Sequence, residues 1–445
     1  MLSIIGLFTI LIVVVLLISG KVSPIVGLVL VPIVGAFSAG FNFEQIGEFF
    51  TSGTQSVFSV AVMFIFAILF FGIMQDVGVF DPLIDKMISL TRGNVIAVAV
   101  GTVIIAAIAH LDGSGASTFL ITIPALLPLY KKLKMSPYLL LMLVGTSASV
   151  MNMVPWAGPL GRTAAVLDMD VTELWRPLIK IQIIGLVLLV VLAVLLGLRE
   201  KRRIAKNILA DEKSMSVDDS LELPVNVNQG QDTVAEKLLS RPRFYWINVI
   251  LAISVIGVLV WGVIPAGFAF MIGVSIALPI NYPNIQDQMS RIKDHAPGAI
   301  LMATIILAAG SFLGILNGTD MLNSIAKDLV TVLPAFIIPY LHIIIGVLGV
   351  PFDLLLSTDA YYFALLPIVD QVVTGFGVSS LSVAYAMIIG NIIGTFVSPL
   401  SPALWLALGL AGLEMGRHIR YSFMMMWGFS VVLLAIAIVI GVIKI

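Results

Sequence analysis

Cysteine is absent from the 445 residues, histidine occurs four times, and only 11% of the chain is charged. The first absence excludes disulfides and thiolate metal sites, and says nothing of compartment. The shortage of charge excludes more. A soluble domain carries about a quarter charged residues, so this chain cannot clothe itself in a water-compatible surface. A Walker A sequence, an HExxH zinc motif and a nucleotide domain are missing as well, which excludes work driven by ATP. The opening run "MLSIIGLFTILIVVVLLISGK" lacks the charged n-region and small-residue cleavage site of a signal peptide, and reads as a retained span.

What remains is apolar: 60% of the residues are hydrophobic. Stretches near 20 residues recur along the chain, each long enough for a hydrocarbon core about 30 Å thick. Backbone in lipid must satisfy its own hydrogen bonds, so the fold class is an all-α polytopic membrane protein. One long polar stretch, Arg199 to Arg243, has the mixed charge and Gln/Asn/Ser content of a flexible linker. It separates residues 1–198 from residues 244–445.

The two halves repeat one pattern. Each opens with two spans, Leu2–Ser19 and Val22–Ala39, then Trp246–Val263 and Ala266–Ile280. An amphipathic stretch follows, then a third span, Val57–Met74 or Gly298–Leu316. Next comes an apolar run broken by small polar residues, "AHLDGSGASTFLITIPALLPL" or "GVPFDLLLSTDAYYFALLPIV", and then a proline-broken run, "VMNMVPWAGPLGR" or "IIGTFVSPLSP". Each half closes on an unbroken span, Leu178–Leu198 and Phe423–Ile443. If the first broken run is a re-entrant hairpin, each half crosses five times, and the odd count inverts the second half. With 199–243 in the cytoplasm, the inside loops hold Lys21, Lys86, Arg92, Lys131, Lys132, Lys134, the linker cations, Arg291, Lys293, Arg417 and Arg420. That is 19 of the 24 Lys and Arg, as the positive-inside rule requires. Six crossings per half would put Arg417 and Arg420 outside. The expectation is therefore two inverted-topology repeats, 1–198 and 244–445, each of five crossings with a re-entrant helical hairpin and a proline-broken helix, as secondary transporters are built.

Non-helical backbone survives in a membrane only inside protein or beside a wet cavity. Four such breaks at matching places predict four helix N-termini, each with about half a positive charge, converging on a midplane site that favours an anion. Half-helices are expected to begin near Ser117–Thr118, in the second tip at Ser357, Thr358 and Asp359, and after the proline breaks near Thr163 and Ala403. Gly113 and Gly115 allow close approach of a ligand to the main chain. Arg162, beside a proline break, is suited to grip a carboxylate with its planar fork. Three acids, Asp112, Asp353 and Asp359, lie at the hairpin tips. Asp112 is suited to bind a cation or carry a proton, Asp359 also has the position of a helix cap, and His110 is a weaker titratable candidate. An intramembrane aspartyl enzyme using Asp112 and Asp359 explains neither the repeats nor Arg162, and closed polar tips suit binding better than a continuous pore.

"FAILFFGIMQDVGVFDPLI", "HLDGSGASTFLITIPALLPLYKKL", "MNMVPWAGPLGRTAAVL" and "GNIIGTFVSPLSPALWLALGLAGLEMGRHIR" together resemble the citrate–metal–proton symporter family (CitMHS) of the ion transporter superfamily, over nearly the whole chain. The resemblance implies proton-coupled uptake of citrate complexed with a divalent cation, in a homodimer whose mobile region carries both hairpins. It implies no resident cofactor, no nucleic-acid partner, no enzymatic activity, and a bacterial inner-membrane location. The family's first tip often has a second acid where this chain has Ser114. Carried over by position, substrate binding falls to Gly113, Ser114, Ser117 and Thr118 at the first tip and to Asn152, Pro155, Gly158 and Arg162 at the first break. Ser357 and Thr358 serve the second tip, and Asn391, Ser398 and Ser401 the second break. Cation or proton coupling falls to Asp112, Asp359 and His110, with Asp112 also facing the metal of the citrate complex. A metal-independent gluconate or dicarboxylate symporter driven by H+ or Na+ is the alternative.

Overall fold

The computed structural model describes residues 1–19, 22–79, 82, 89, 94–214, 244–261 and 264–444. Among these, it holds eighteen α-helices, two 3-10 turns, one π turn and no strand. Lys21, Lys86, Arg92 and the part of the expected linker from 215 to 243 lie outside the described residues. Among the described residues, five helices are long and apolar enough to cross a membrane by length and composition.

The first half begins with α1 (Leu2–Ser19) and α2 (Pro24–Ser38). Then α3 (Phe43–Asp76) merges the amphipathic stretch and the third span into one helix of 34 residues. Its start is set by a capping box: Asn42 Oδ1 accepts from Gln45 N at 2.9 Å, and Gln45 Oε1 accepts from Asn42 N at 3.1 Å. The hairpin follows as α4 (Val95–Ala109), a 3-10 turn over His110–Asp112, and α5 (Gly115–Lys132). Its arms fold back on one another, with Thr102 Oγ1 and Tyr130 Oη hydrogen-bonded at 2.9 Å. The broken helix is α6 (Pro137–Met151) and α7 (Gly158–Leu167), and α8 (Val171–Ser214) closes the half.

The expected boundary at 198 falls inside α8, which continues to Ser214. The stretch "REKRRIAKNILADEKS" is built of strong helix formers, so the helix propagates past its apolar part. Glu200 fastens it: its Oε1 accepts from Ser136 N at 2.5 Å, and Arg203 Nη2 donates to Lys134 O at 2.9 Å.

The second half uses the same order: α9 (Tyr245–Trp261), α10 (Ala266–Asn281), and α11 (Ile285–Gly318), again 34 residues with its amphipathic start included. The short α12 (Met321–Val332) leads to a hairpin whose entering arm is α13 (Leu341–Val347) and α14 (Gly349–Asp353). The returning arm is a π turn over Ala360–Leu365 and α15 (Leu366–Thr374). α16 (Ser380–Ile392) and α17 (Pro402–Ala411) form the broken helix, and α18 (Met415–Val439) closes the chain.

The two long helices cross antiparallel. Phe49 meets Gly318, Gly53 meets Gly310 and Gly314, and Gly72 meets His295. A Cβ added to Gly53 would stand 2.1 Å from the Gly310 carbonyl oxygen, so the backbones touch because neither side has a side chain there. Toward the other end Asp76 Oδ2 meets His295 Nε2 at 2.9 Å and Arg291 Nη1 at 3.5 Å. On the outside, α1, α2 and α9 expose Phe8, Leu11, Leu30, Ile250 and Ile253. An apolar exposed face of this extent suits lipid rather than water.

Candidate functional site

The four irregular segments meet one another, and each meeting has a named contact. At the first tip, Gly113 takes φ +73, a left-handed conformation that reverses the chain. Asp112 Oδ1 accepts from Ser114 N at 2.9 Å, and its Oδ2 accepts from Ser117 Oγ. The helix begins at Gly115 with Ser114 in the cap position, earlier than the expected Ser117–Thr118, because this turn delivers the chain into helical conformation at once. Thr118 is then free of capping: its hydroxyl donates to Ser114 O at 2.7 Å and meets His110 Nδ1 at 2.7 Å.

His110 ties this tip to the first break. Its Nε2 is 2.8 Å from Asn152 Oδ1, and the ring is fully buried. Trp156 Nε1 adds a bond to Leu111 O at 2.7 Å and stacks on Phe71 of α3 at 4.9 Å. Pro155 lies in this break, between the end of α6 and the start of α7. The tip also touches the second break, where a Cβ on Gly115 would stand 2.6 Å from Phe396 and 3.0 Å from Ala403.

The second hairpin is joined to the second break in the same manner. Asn391 Nδ2 donates to Gly349 O at 3.2 Å, and Ser398 Oγ donates to Asp353 O. Ser357 Oγ accepts from Ala360 N at 3.2 Å, capping the returning arm, and Thr358 follows in that first turn. Ser401 stands at the cap position of α17, which starts at Pro402.

The remaining meeting, between first break and second tip, is ionic. Arg162 Nε lies 2.7 Å from Asp359 Oδ1, with side-chain exposures of 10% and 13%. The two residues are 197 positions apart in the chain. Arg162 is in place because α7 begins at Gly158 rather than near Thr163: Pro159 sits in the first turn, where its fixed φ suits helix entry. Arg162 Nη1 passes over Gly158, whose added Cβ would be 2.3 Å away. The guanidinium also faces the Phe363 ring at 5.9 Å. Asp112 is outside this pair, its two oxygens being held by Ser114 N and Ser117 Oγ.

Every residue expected from the sequence therefore falls on one of four segments, each in contact with two of the others. Two features escape sequence reading. The Asp76–Arg291–His295 network joins the two long helices near the first tip, with no motif to mark it. Asp353, named only as one of three tip acids, is a buried carboxyl with Oδ2 unpartnered among the described residues. Only the alignment of the two halves, which places an acid in each tip, hinted at it.

Known proteins resemble the chain over its full length. A "Citrate transporter" of Bacillus subtilis (strain 168) is 34% identical over 444 residues, covering 100% of both chains. A "Mg(2+)/citrate complex secondary transporter" of the same organism is 36% identical over 445 residues, again 100% of both. Among solved structures, the Alcanivorax borkumensis YdaH transporter superposes with a TM-score of 0.58 at 16% identity, covering 90% of each chain. Neisseria gonorrhoeae MtrF gives 0.57 at 13% identity, over 88% of this chain and 84% of that one. These two structures establish likeness of fold. The family model for CitMHS, citrate transporter, matches residues 3–390. This chain belongs to the CitMHS family of citrate transporters, proteins that move a substrate and are not enzymes.

Proposed function

We propose that the protein takes up citrate as a complex with a divalent metal cation, coupled to protons, through two inverted repeats in a bacterial inner membrane. The observation that carries this is the Arg162–Asp359 pair. A guanidinium at the mouth of a half-helix already holds a carboxylate, so a citrate carboxylate finds its binding geometry prepared and takes the place of Asp359. The amides at the starts of α5, α7 and α17 add positive potential. Free citrate is close to −3 at neutral pH, and one arginine does not balance it near Asp112. Complexation with one divalent cation lowers the charge to about −1, and Asp112, Ser114, Ser117 and Thr118 offer the oxygens that hard cations prefer.

Inversion is supported by the antiparallel crossing of α3 and α11, the third helices of their halves. The same reading has residues 199–243 cytoplasmic, a homodimer, and the hairpins with their broken helices moving as a unit past the α3–α11 pair. The metal is cargo, and no resident cofactor is involved.

A second reading has one observation in its favour. Both Asp112 oxygens are engaged inside the tip, by Ser114 N and Ser117 Oγ, as a structural cap would be. That suits a metal-independent carboxylate symporter. Uptake of labelled citrate into proteoliposomes separates the two. Uptake should require a divalent metal, carry metal and citrate in equal number, stop when a non-transported chelator is added, and fall when the proton gradient is collapsed. Undiminished uptake without metal would establish the second reading.

A further inference from the structure

The second hairpin holds a carboxyl that substrate binding does not use. Asp353 ends α14, is 2% exposed, and has neither a hydrogen-bond partner on Oδ2 nor an ion pair among the described residues. The Asn391 amide is its polar neighbour, while Ser398 is occupied by the Asp353 main-chain carbonyl. Arg162, which reaches the second hairpin from α7, is committed to Asp359. An ionised carboxylate this buried, with no ion pair and an unpartnered oxygen among the described residues, is unfavourable by several kcal/mol. Its counterparts at the first tip are already engaged: Asp112 through both oxygens and His110 through both ring nitrogens.

The space around Oδ2 selects what neutralises it. The carboxyl lies against the bare Cα of Gly394, where an added Cβ would stand 2.2 Å from Oδ2 and 3.0 Å from Cγ. A metal cation needs a shell of several oxygens. No cluster of three or more acidic or histidine side chains suited to a metal exists among the described residues. A proton needs no such volume.

We propose that Asp353 carries the coupling proton, as an O–H on Oδ2, in the packed conformation described here. This rests on the transporter reading and adds the site of its driving ion. The link to substrate is the returning arm. Tyr361 and Tyr362 stand fully buried on it, and Asp359 at its start comes six positions after Asp353 in the chain. Loss of the proton places a negative charge behind the arm whose Asp359 holds Arg162, so proton occupancy and the state of the ion pair are coupled through one short segment.

Other titratable groups on the elements around this arm are Asp370 on α15, whose Oδ1 is also buried without a hydrogen-bond partner among the described residues, Tyr385 on α16, His418 on α18 and His342 on α13. His418 Nε2 is 3.0 Å from Phe396 O, and its Nδ1 is 3.2 Å from Ser422 Oγ. His342 lies beside Pro339 and Lys444. None of the four is ion-paired with Asp353 among the described residues.

The test uses the full-length protein in proteoliposomes, comparing wild type with Asp353→Asn, which keeps the shape but does not titrate, and Asp353→Glu, which does. A pH step of one unit drives about tenfold accumulation per coupled proton. Asp353→Asn should lose that tenfold, any remaining citrate movement being indifferent to the pH gradient, and Asp353→Glu should recover gradient dependence. Infrared spectra of the purified proteins should show a protonated-carboxyl carbonyl band that disappears in Asp353→Asn and shifts in Asp353→Glu. Full gradient-driven accumulation by Asp353→Asn, or a band that survives the substitution, overturns the proposal. So does accumulation that follows a sodium gradient in place of the pH gradient. If the wild type moves no citrate with any metal, the substrate reading fails, and the infrared band alone decides the proton site.

Discussion

Arg162 supplies a fixed positive charge to a site otherwise built from hydroxyls, amides and helix ends. Lysine keeps the charge but loses the planar fork, so Arg162→Lys should leave insertion and folding intact while reducing citrate uptake on the order of a hundredfold, the loss expected when a buried charged partner is removed. Near-normal uptake with a normal gel-filtration profile would exclude Arg162 from substrate binding. Asp359 makes a different prediction. Breaking a buried pair leaves an uncompensated charge at a cost of about 3–5 kcal/mol. Asp359→Asn should therefore lower the melting temperature of the substrate-free protein, and metal–citrate should raise it by more than in wild type, because citrate no longer competes with Asp359. An equal ligand-induced shift in both proteins would contradict the exchange of carboxylates at Arg162. Both residues stood out in the sequence as polar groups in apolar runs. Their pairing did not, since it joins positions 197 apart across the two halves. Asp353 looked like the other tip acids, because a sequence shows an acid but not whether its second oxygen has a partner.

The hairpins, breaks and closing spans were legible because lipid leaves the backbone few alternatives, and an interruption in an apolar run has to be accommodated by a fold around it. Helix starts were less so. The onsets at Gly115 and Gly158 depend on a left-handed glycine and on a proline in the first turn, both local choices that hydroxyl counting misses. The fusion of each amphipathic stretch with its span was also hidden, since periodicity changes there while the helix does not. The α3–α11 seam gives the prediction for this level. Gly53→Leu forces side-chain atoms into the Gly310 backbone, and overpacking costs at least about 1–3 kcal/mol. Its melting temperature in detergent should fall clearly, while Gly257→Ala on α9, where an added Cβ meets nothing within 4 Å, should leave it unchanged. Equal stability of the two variants would mean that the seam is not a tight backbone contact.

The whole chain is suited to a direct test of inversion, because it has no native cysteine. Single cysteines at Asp168→Cys and Lys327→Cys should react with a membrane-impermeant maleimide added to intact cells. Those at Lys134→Cys and Asp287→Cys should react only after permeabilisation. Labelling of positions 134 and 327 from the same side would remove the inverted arrangement. Charge asymmetry is the sequence feature from which this orientation is proposed, and the proposed dimer has no comparable sequence signal behind it. The crossing of α3 with α11 has one more consequence. At roughly 1.5 Å per residue, each 34-residue helix is about 50 Å long, against a hydrocarbon core of about 30 Å. Fastened backbone to backbone, neither helix adjusts its tilt alone. A thicker or thinner bilayer must therefore be met by both together or by deforming the lipid around them, which makes acyl-chain length a setting of the transporter and the pair of helices its gauge.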